Sequence, residues 1–389
     1  MITTVDWFAN STFVPRAARE EVSRALDRYF DALAACVKSL GITDANVYVG
    51  GSLARGEPSV TRSSGTWRLF SDLDLLAVVE GPAAGHPVHG LAAEMRARQP
   101  SFDTTVFVVD AADFAGVRSF IGHDAWPMFE HPVVEGIRLR PPPRPRVGRR
   151  ERFELFTHQL NSLVLFPHEE GGSPVKPARH HRKFAEIHLL KTLMEAMRIS
   201  LPDPGAANFG ALCTEPFRAA LAPVLDSEQV ADIVRAREVY TGDFIPPVSA
   251  AEIIEHGLGA FFGLDRADEF SAAVTQAVTQ RIEGHSDLLT LFQHMVPLLF
   301  VMSLPEYADD VAASTAVLAA LSAVDPADIV DSGAAKARLE AMSAEEMAAG
   351  FARRDPRLLS DLLELRGDYY HHLGNHNFGR SFDGRYGTS

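Results

Sequence analysis

The sequence predicts an α+β N-terminal domain, a mixed sheet flanked by helices, followed by an all-α C-terminal domain. Three observations predict it. Short β-rich, apolar runs alternate with stretches of helical spacing over residues 1–140. A segment in which prolines alternate with arginines interrupts the chain at 138–152. Beyond that break the helical period dominates, and most connections carry Gly, Pro or Asp.

The first element is an amphipathic helix over 15–40, where Val22, Leu26, Tyr29, Leu33 and Val37 recur at helical spacing and Gly41 supplies a stop. Val47-Tyr48-Val49 is a short strand that runs into Gly50-Gly51-Ser52. The apolar run 73–79 reads as a buried strand, 88–98 as a helix, and 102–109 as a second buried strand. Residues 141–152 form a stiff extended linker, so the domains are 1–140 and 153–389. In the second domain helices are expected at 153–165, 184–197, 227–239, 250–256 and 268–283, then at 288–302, 311–324, 333–347 and 356–370. The final stretch, 369–389, is a terminus that either docks or frays.

With 46% hydrophobic and 23% charged residues, the 389-residue chain is not disordered as a whole, and its length suits two or three domains. The formal net charge of −14 repels a polyphosphate backbone and argues against a large nucleic-acid footprint. Cys36 and Cys213 both sit in apolar surroundings and read as buried free thiols. The N-terminus lacks the pattern of a signal peptide, and the most apolar later run, 295–304, is too short to span a bilayer. A reducing, nucleotide-rich cytoplasm is the expected compartment, with no membrane partner.

The chemistry concentrates between residues 47 and 110. Asp72 and Asp74 are separated by one residue at the start of a strand, so their carboxylates point to the same face. Like charges that close repel, and a hard divalent cation removes the repulsion. Gly51 and Ser52 follow a strand, where glycine lets the backbone approach a ligand and main-chain N–H groups can cradle phosphate oxygens. Asp103 stands on an otherwise apolar strand and offers a third carboxylate, with Asp110 as its rival at the strand's end. Three such carboxylates suit two magnesium ions and phosphoryl chemistry.

Gly51-Ser52-Leu53-Ala54-Arg55-Gly56 together with Ser71-Asp72-Leu73-Asp74-Leu75 resembles the polymerase-β-like nucleotidyltransferase superfamily, in particular its minimal and aminoglycoside nucleotidyltransferase branch. Glu135-Gly136-Ile137-Arg138-Leu139 is similar to the run that ends this domain, although Pro132 replaces its opening aliphatic residue. The resemblance covers about residues 15–140. It implies that Gly51, Ser52 and Arg55 bind the nucleoside triphosphate, and that Asp72, Asp74 and Asp103 hold two Mg2+ ions (Mn2+ as a substitute). It further implies that Asp103 accepts the proton of the acceptor. A lysine of the helical domain reaches the triphosphate in such enzymes, which points to Lys183, with Lys176 and Lys191 as alternatives. In one respect the chain departs from the pattern: the loop between Ser52 and Asp72 is long, with 61–70 resembling an insertion.

The expected function is therefore transfer of a nucleoside monophosphate from a nucleoside triphosphate to a hydroxyl of a small molecule or protein, with release of pyrophosphate. Two alternatives are a nucleotide second-messenger or oligonucleotide synthase using triphosphates alone, and a non-catalytic antitoxin-like binding module. His180 and His181 have no cysteines nearby to complete a zinc site, and the Arg366/His371 and Arg182/His188 spacings are of a kind that chance supplies in a chain with 15 histidines.

Overall fold

The computed structural model describes residues 5–11, 14–83, 85–114 and 128–141, with shorter stretches at 194–195, 226–231, 333–353, 355, 357–358 and 361–362. Helix α1 (Arg16–Ser39) carries Ala18, Val22, Leu26, Tyr29, Leu33, Cys36 and Val37 on its buried side, a spacing of three to four residues that keeps one stripe on the core. Full burial of each of its Val and Leu side chains contributes about 1.5–3 kcal/mol. The helix ends at Leu40, and Gly41 turns the chain with φ +66°.

Strands β1 (Ala45–Val49), β4 (Leu73–Val79) and β5 (Thr104–Asp110) form a three-stranded sheet in the order β1-β4-β5. β4 is antiparallel to β1 and parallel to β5, so the sheet is mixed, as expected. The parallel connection from β4 to β5 runs through a 3-10 turn (Pro87–Gly90) and helix α3 (Leu91–Arg98), which packs on α1 and β5. Val88, Leu91 and Met95 join the core beneath α1.

The alternation of β4 divides its side chains between two clusters. Leu73, Leu75, Ala77 and Val79 face α1 and α3, whereas Leu76 and Val78 face a second cluster with Tyr48, Phe107, Val109, Phe114 and Phe129. In that cluster Tyr48 stacks on Phe114 at 5.5 Å between ring centroids, and Phe129 meets both rings edge-on.

Residues 133–134 extend the sheet past β1. Val47 N–H donates to the Val134 carbonyl at 2.9 Å, and Val133 N–H donates to the Val47 carbonyl at 2.8 Å. The Asn46 side chain then accepts from the N–H groups of Gly136 and Ile137. A Cβ on Gly136 would lie 2.6 Å from the Ala45 carbonyl oxygen and 2.7 Å from that of Thr43. Glycine is required there because β1's own backbone fills the space.

Three expectations are corrected. Residues 61–70 are not an irregular loop: β2 (Val60–Ser63) and β3 (Thr66–Leu69) form an antiparallel hairpin. Its two-residue turn has positive φ at Ser64 and Gly65, the geometry that matches strand twist. The strand expected at 102–109 begins at Thr104 and ends at Asp110. The helix expected at 333–347 is two helices, α4 (Gly333–Ala341) and α5 (Ala344–Ala352). Between them Ser343 and Glu346 form a reciprocal capping box: Glu346 N–H donates to Ser343 Oγ, and Ser343 N–H to the Glu346 carboxylate.

Residues 194–195 and 227–231 are helical, in agreement with the helices expected around them. The expected helices at 153–165, 250–256, 268–283, 288–302 and 311–324 lie outside the described residues, as do the linker beyond 141, Cys213 and the 369–389 tail. Among the described residues no helix is long and apolar enough to cross a membrane.

Candidate active site

Asp74 is the second residue of β4, and Asp72 is the residue before that strand begins. Alternation along the strand sends both to the face that carries Leu76 and Val78. The parallel ladder sets Leu73 beside Thr104 and Asp74 beside Thr105. Asp103 therefore stands next to Asp72, a placement fixed by a 2.7 Å hydrogen bond from Leu73 N–H to the Asp103 carbonyl. Asp72, Asp74 and Asp103 occupy one edge of one sheet face, and all three are half-buried. Asp103 is not embedded in an apolar strand, as its sequence context suggested; it precedes the strand, and its carboxylate is spared full desolvation.

Asp110 is excluded as a member of this group. It pairs with Val79 at the other end of the ladder, about 20 Å along the strand. Its Oδ1 accepts from Ala83 N–H, and its carbonyl accepts from Asp113 N–H, so it organises the turn there.

The Gly-Ser turn arrives at the carboxylate edge from β1. Val49 pairs with Leu75, and Gly50 N–H donates to the Asp74 carbonyl at 2.7 Å. Gly51 then takes φ +63°, and Gly51–Ala54 forms a single helical turn, α2. A Cβ on Gly51 would lie 2.5 Å from Asp74 Oδ2. Glycine is thus demanded twice at this position, by the backbone angle and by the carboxylate against it. The opening N–H groups of a helical turn have no partner within the helix, so Gly51 and Ser52 bring donor groups next to an acidic edge.

Arg55, expected as a triphosphate ligand, directly follows α2 as the residue that caps it. Its Nε donates to Glu57 Oε1 at 2.6 Å, and the Glu57 side chain is fully buried. The pair fastens the turn after α2. An N-terminal strap closes over the same turn: Asn10 N–H donates to the Gly56 carbonyl at 3.0 Å, and Asn10 Nδ2 donates to the Arg55 carbonyl. The strap is anchored by buried Trp7 and Phe8, with Trp7 stacked on Phe30 at 5.2 Å. Nothing in the periodicity of residues 5–11 marks it, because the contacts are irregular and long-range. Lys183, Lys176 and Lys191 lie outside the described residues.

Ser71 has a structural task that its motif did not reveal. Its Oγ accepts from Ser59 N–H at 2.7 Å, while Phe70 N–H donates to the Ser59 carbonyl at 2.8 Å. The base of the β2–β3 hairpin is closed one residue before Asp72, so the hairpin rises directly beside the carboxylate edge. Its inner face, Val60 and Leu69, joins the core under α1, and Trp67 N–H donates to Glu21 of that helix. Thr61, Ser63, Thr66 and Arg68 share the opposite face.

Carboxylate oxygens are the donor type that magnesium takes, and three on one face match it in kind. The absence of a side chain at Gly51 lets the turn lie directly against the Asp74 carboxylate, where a Cβ would fall 2.5 Å from Oδ2. Among the described residues no three His, Cys, Asp or Glu side chains converge into a finished metal cluster. The fit therefore lies in donor chemistry and shared face. A cavity of about 440 Å³ lined by Met342, Glu345, Glu346, Ala349, Gly350, Arg353 and Asp355 holds none of these groups. No protein-family model, curated protein or solved structure matches the chain, so its functional reading rests on its own residues and their placement.

Proposed function

We propose that the chain is a metal-dependent nucleotidyltransferase that moves a nucleoside monophosphate from a nucleoside triphosphate to a hydroxyl of a small molecule or protein. The observation that carries this reading is the meeting of the Gly51-Ser52 turn with Asp74 at the sheet edge that also presents Asp72 and Asp103. Main-chain donors for phosphate and carboxylates for a hard cation stand together, which is the minimum that nucleotidyl transfer needs.

In this reading Gly51 and Ser52 bind the outer phosphates through main-chain N–H groups. Asp72, Asp74 and Asp103 would hold Mg2+, which when bound supplies positive charge against the triphosphate and the carboxylates. The acceptor oxygen attacks the α-phosphorus in line with the leaving group. A bond forms between that oxygen and the phosphorus, and the bond to the bridging oxygen of pyrophosphate breaks. The acceptor proton passes to the Asp103 carboxylate, which sits at the open start of β5. A second, helical domain is proposed to complete the cleft, with Lys183 as its triphosphate ligand. The proposed compartment is the cytoplasm.

The test is to incubate the protein with α-labelled nucleoside triphosphates and Mg2+, with and without cell extract. Label in a small molecule or a protein is expected only with extract. Label in a product made from triphosphates alone would replace the acceptor reading with nucleotide-to-nucleotide synthesis. No labelled product and no pyrophosphate under either condition would refute the enzymatic reading.

A further inference from the structure

We propose that Tyr29 is a positioning residue for Asp103, acting from the opposite side of the sheet through the two residues that flank it; the inference rests on the nucleotidyl-transfer reading above. Asp103 lies outside the regular strand, so the β4–β5 ladder alone does not set its direction. Its carbonyl is held by Leu73 N–H, which fixes one atom of the residue. Its two neighbours, Phe102 and Thr104, are held from the other face of the sheet.

Both neighbours meet the same side chain. The Phe102 ring lies 4.9 Å from the Tyr29 ring, centroid to centroid, and Thr104 Oγ1 lies 2.9 Å from the Tyr29 hydroxyl oxygen. Tyr29 is in α1, 75 residues away from Thr104 in sequence, and its own ring is braced edge-on by Phe30 at 5.4 Å. Tyr29 is fully buried, and Thr104 and Phe102 are buried with it. Thr104 and Phe102 turn toward α1, and alternation turns the residue between them the other way, to the face of Asp72 and Asp74. The grip on 102 and 104 thus sets the direction of 103.

A hydroxyl pair is a costly way to fill a core, because each group loses water and must find its partner. A Phe and a Val would occupy the same space without that demand. What the hydroxyls add is direction: the bond forms at one rotation and one height of β5 relative to α1. Residues that orient a ligand from behind influence metal affinity without touching the metal.

The experiment measures Mn2+ binding to the full chain by electron paramagnetic resonance, with no nucleotide present, beside thermal unfolding. The variants are Tyr29→Phe, Tyr29→Phe/Thr104→Val, Thr104→Ser, Asp72→Asn, Asp74→Asn and Asp103→Asn. The double variant leaves no lone buried hydroxyl, so its melting temperature should stay near that of the parent. Its Mn2+ affinity should nevertheless fall about tenfold, with a smaller fall for Tyr29→Phe alone, while Thr104→Ser keeps the parental affinity. Parental Mn2+ affinity in both Tyr29 variants, with weakened binding in Asp103→Asn, would overturn the proposal and leave Tyr29 a packing residue. Unchanged binding in Asp103→Asn, Asp72→Asn and Asp74→Asn alike would overturn it in a distinguishable way, by removing the metal site on which it rests.

Discussion

Replacing Gly51 by alanine tests the site through a single methyl group. The added Cβ falls 2.5 Å from Asp74 Oδ2 and 3.4 Å from its Cγ, and the backbone there has φ +63°. The backbone angle costs about 1–2 kcal/mol with any side chain. That is a minor share of the ~5–15 kcal/mol that keeps a domain folded, so the variant stays native. The overlap is relieved when the carboxylate withdraws by about 1 Å, and a shift of that size at a reacting centre costs about a hundredfold in rate. Gly41→Ala is the matched control, because Gly41 has φ +66° and nothing within 4 Å of the added Cβ. Pyrophosphate release and thermal unfolding should be measured on both. Similar losses of stability are expected, with the loss of rate confined to Gly51→Ala. Parental turnover in Gly51→Ala, or equal rate losses in both variants, would refute the reasoning.

Three further outcomes follow from the packing. Arg55→Ala removes the guanidinium from the fully buried Glu57 carboxylate and should lower stability by about 3–5 kcal/mol in denaturant melts, with Arg55→Ala/Glu57→Gln recovering part of it. Gly136→Ala drives a Cβ into two carbonyl oxygens of the chain around β1 and should cost about 1–3 kcal/mol, read in the same melts, because backbone cannot step aside as a side chain can. The Tyr29 hydroxyl is held well above the ordinary tyrosine range, chiefly by burial. The folded state therefore keeps a proton that the unfolded state loses. Its stabilising contribution is complete below about pH 10 and declines as the pH rises beyond it. The slope of melting temperature against pH in that range should flatten in Tyr29→Phe.

The parts of the fold legible in the sequence are those set by repeating local patterns. Val22, Leu26, Tyr29, Leu33 and Val37 mark the buried stripe of α1, and the run Leu73–Val79 matches β4 residue for residue. The same period of two suffices to put Asp72 and Asp74 on one face. The β2–β3 hairpin escapes a reading of periodicity although Ser64-Gly65 is a two-residue turn signal, because its strands are short and carry Thr, Arg and Ser rather than an apolar alternation. The α4–α5 break escapes it because Met342 and Ser343 interrupt an alanine-rich stretch whose helix propensity is high on both sides.

At the site, the Gly-Ser turn and the Asp72/Asp74 pair are legible in the sequence because each depends on residues close in the chain. Asp103 depends on how β5 aligns with β4, and only the ladder shows that it precedes the strand beside Asp72. The strap at Trp7 to Ser11 depends on contacts across some 45 residues, where local spacing carries no signal. Arg55 illustrates the limit most directly. Its type and position suit a phosphate ligand, and only the structure shows that its Nε also donates to the fully buried Glu57 two residues on.

The most direct measurement is the rate of pyrophosphate release from Mg2+-nucleoside triphosphate by the full chain and by Asp72→Ala/Asp74→Ala, with extract present to supply the acceptor. Loss of several kcal/mol of transition-state stabilisation predicts a fall of roughly a thousandfold or more in the double variant, at a melting temperature within a few degrees of the parent. Equal, metal-independent rates in the two proteins, or no pyrophosphate from either, would contradict nucleotidyl transfer at this edge of the sheet.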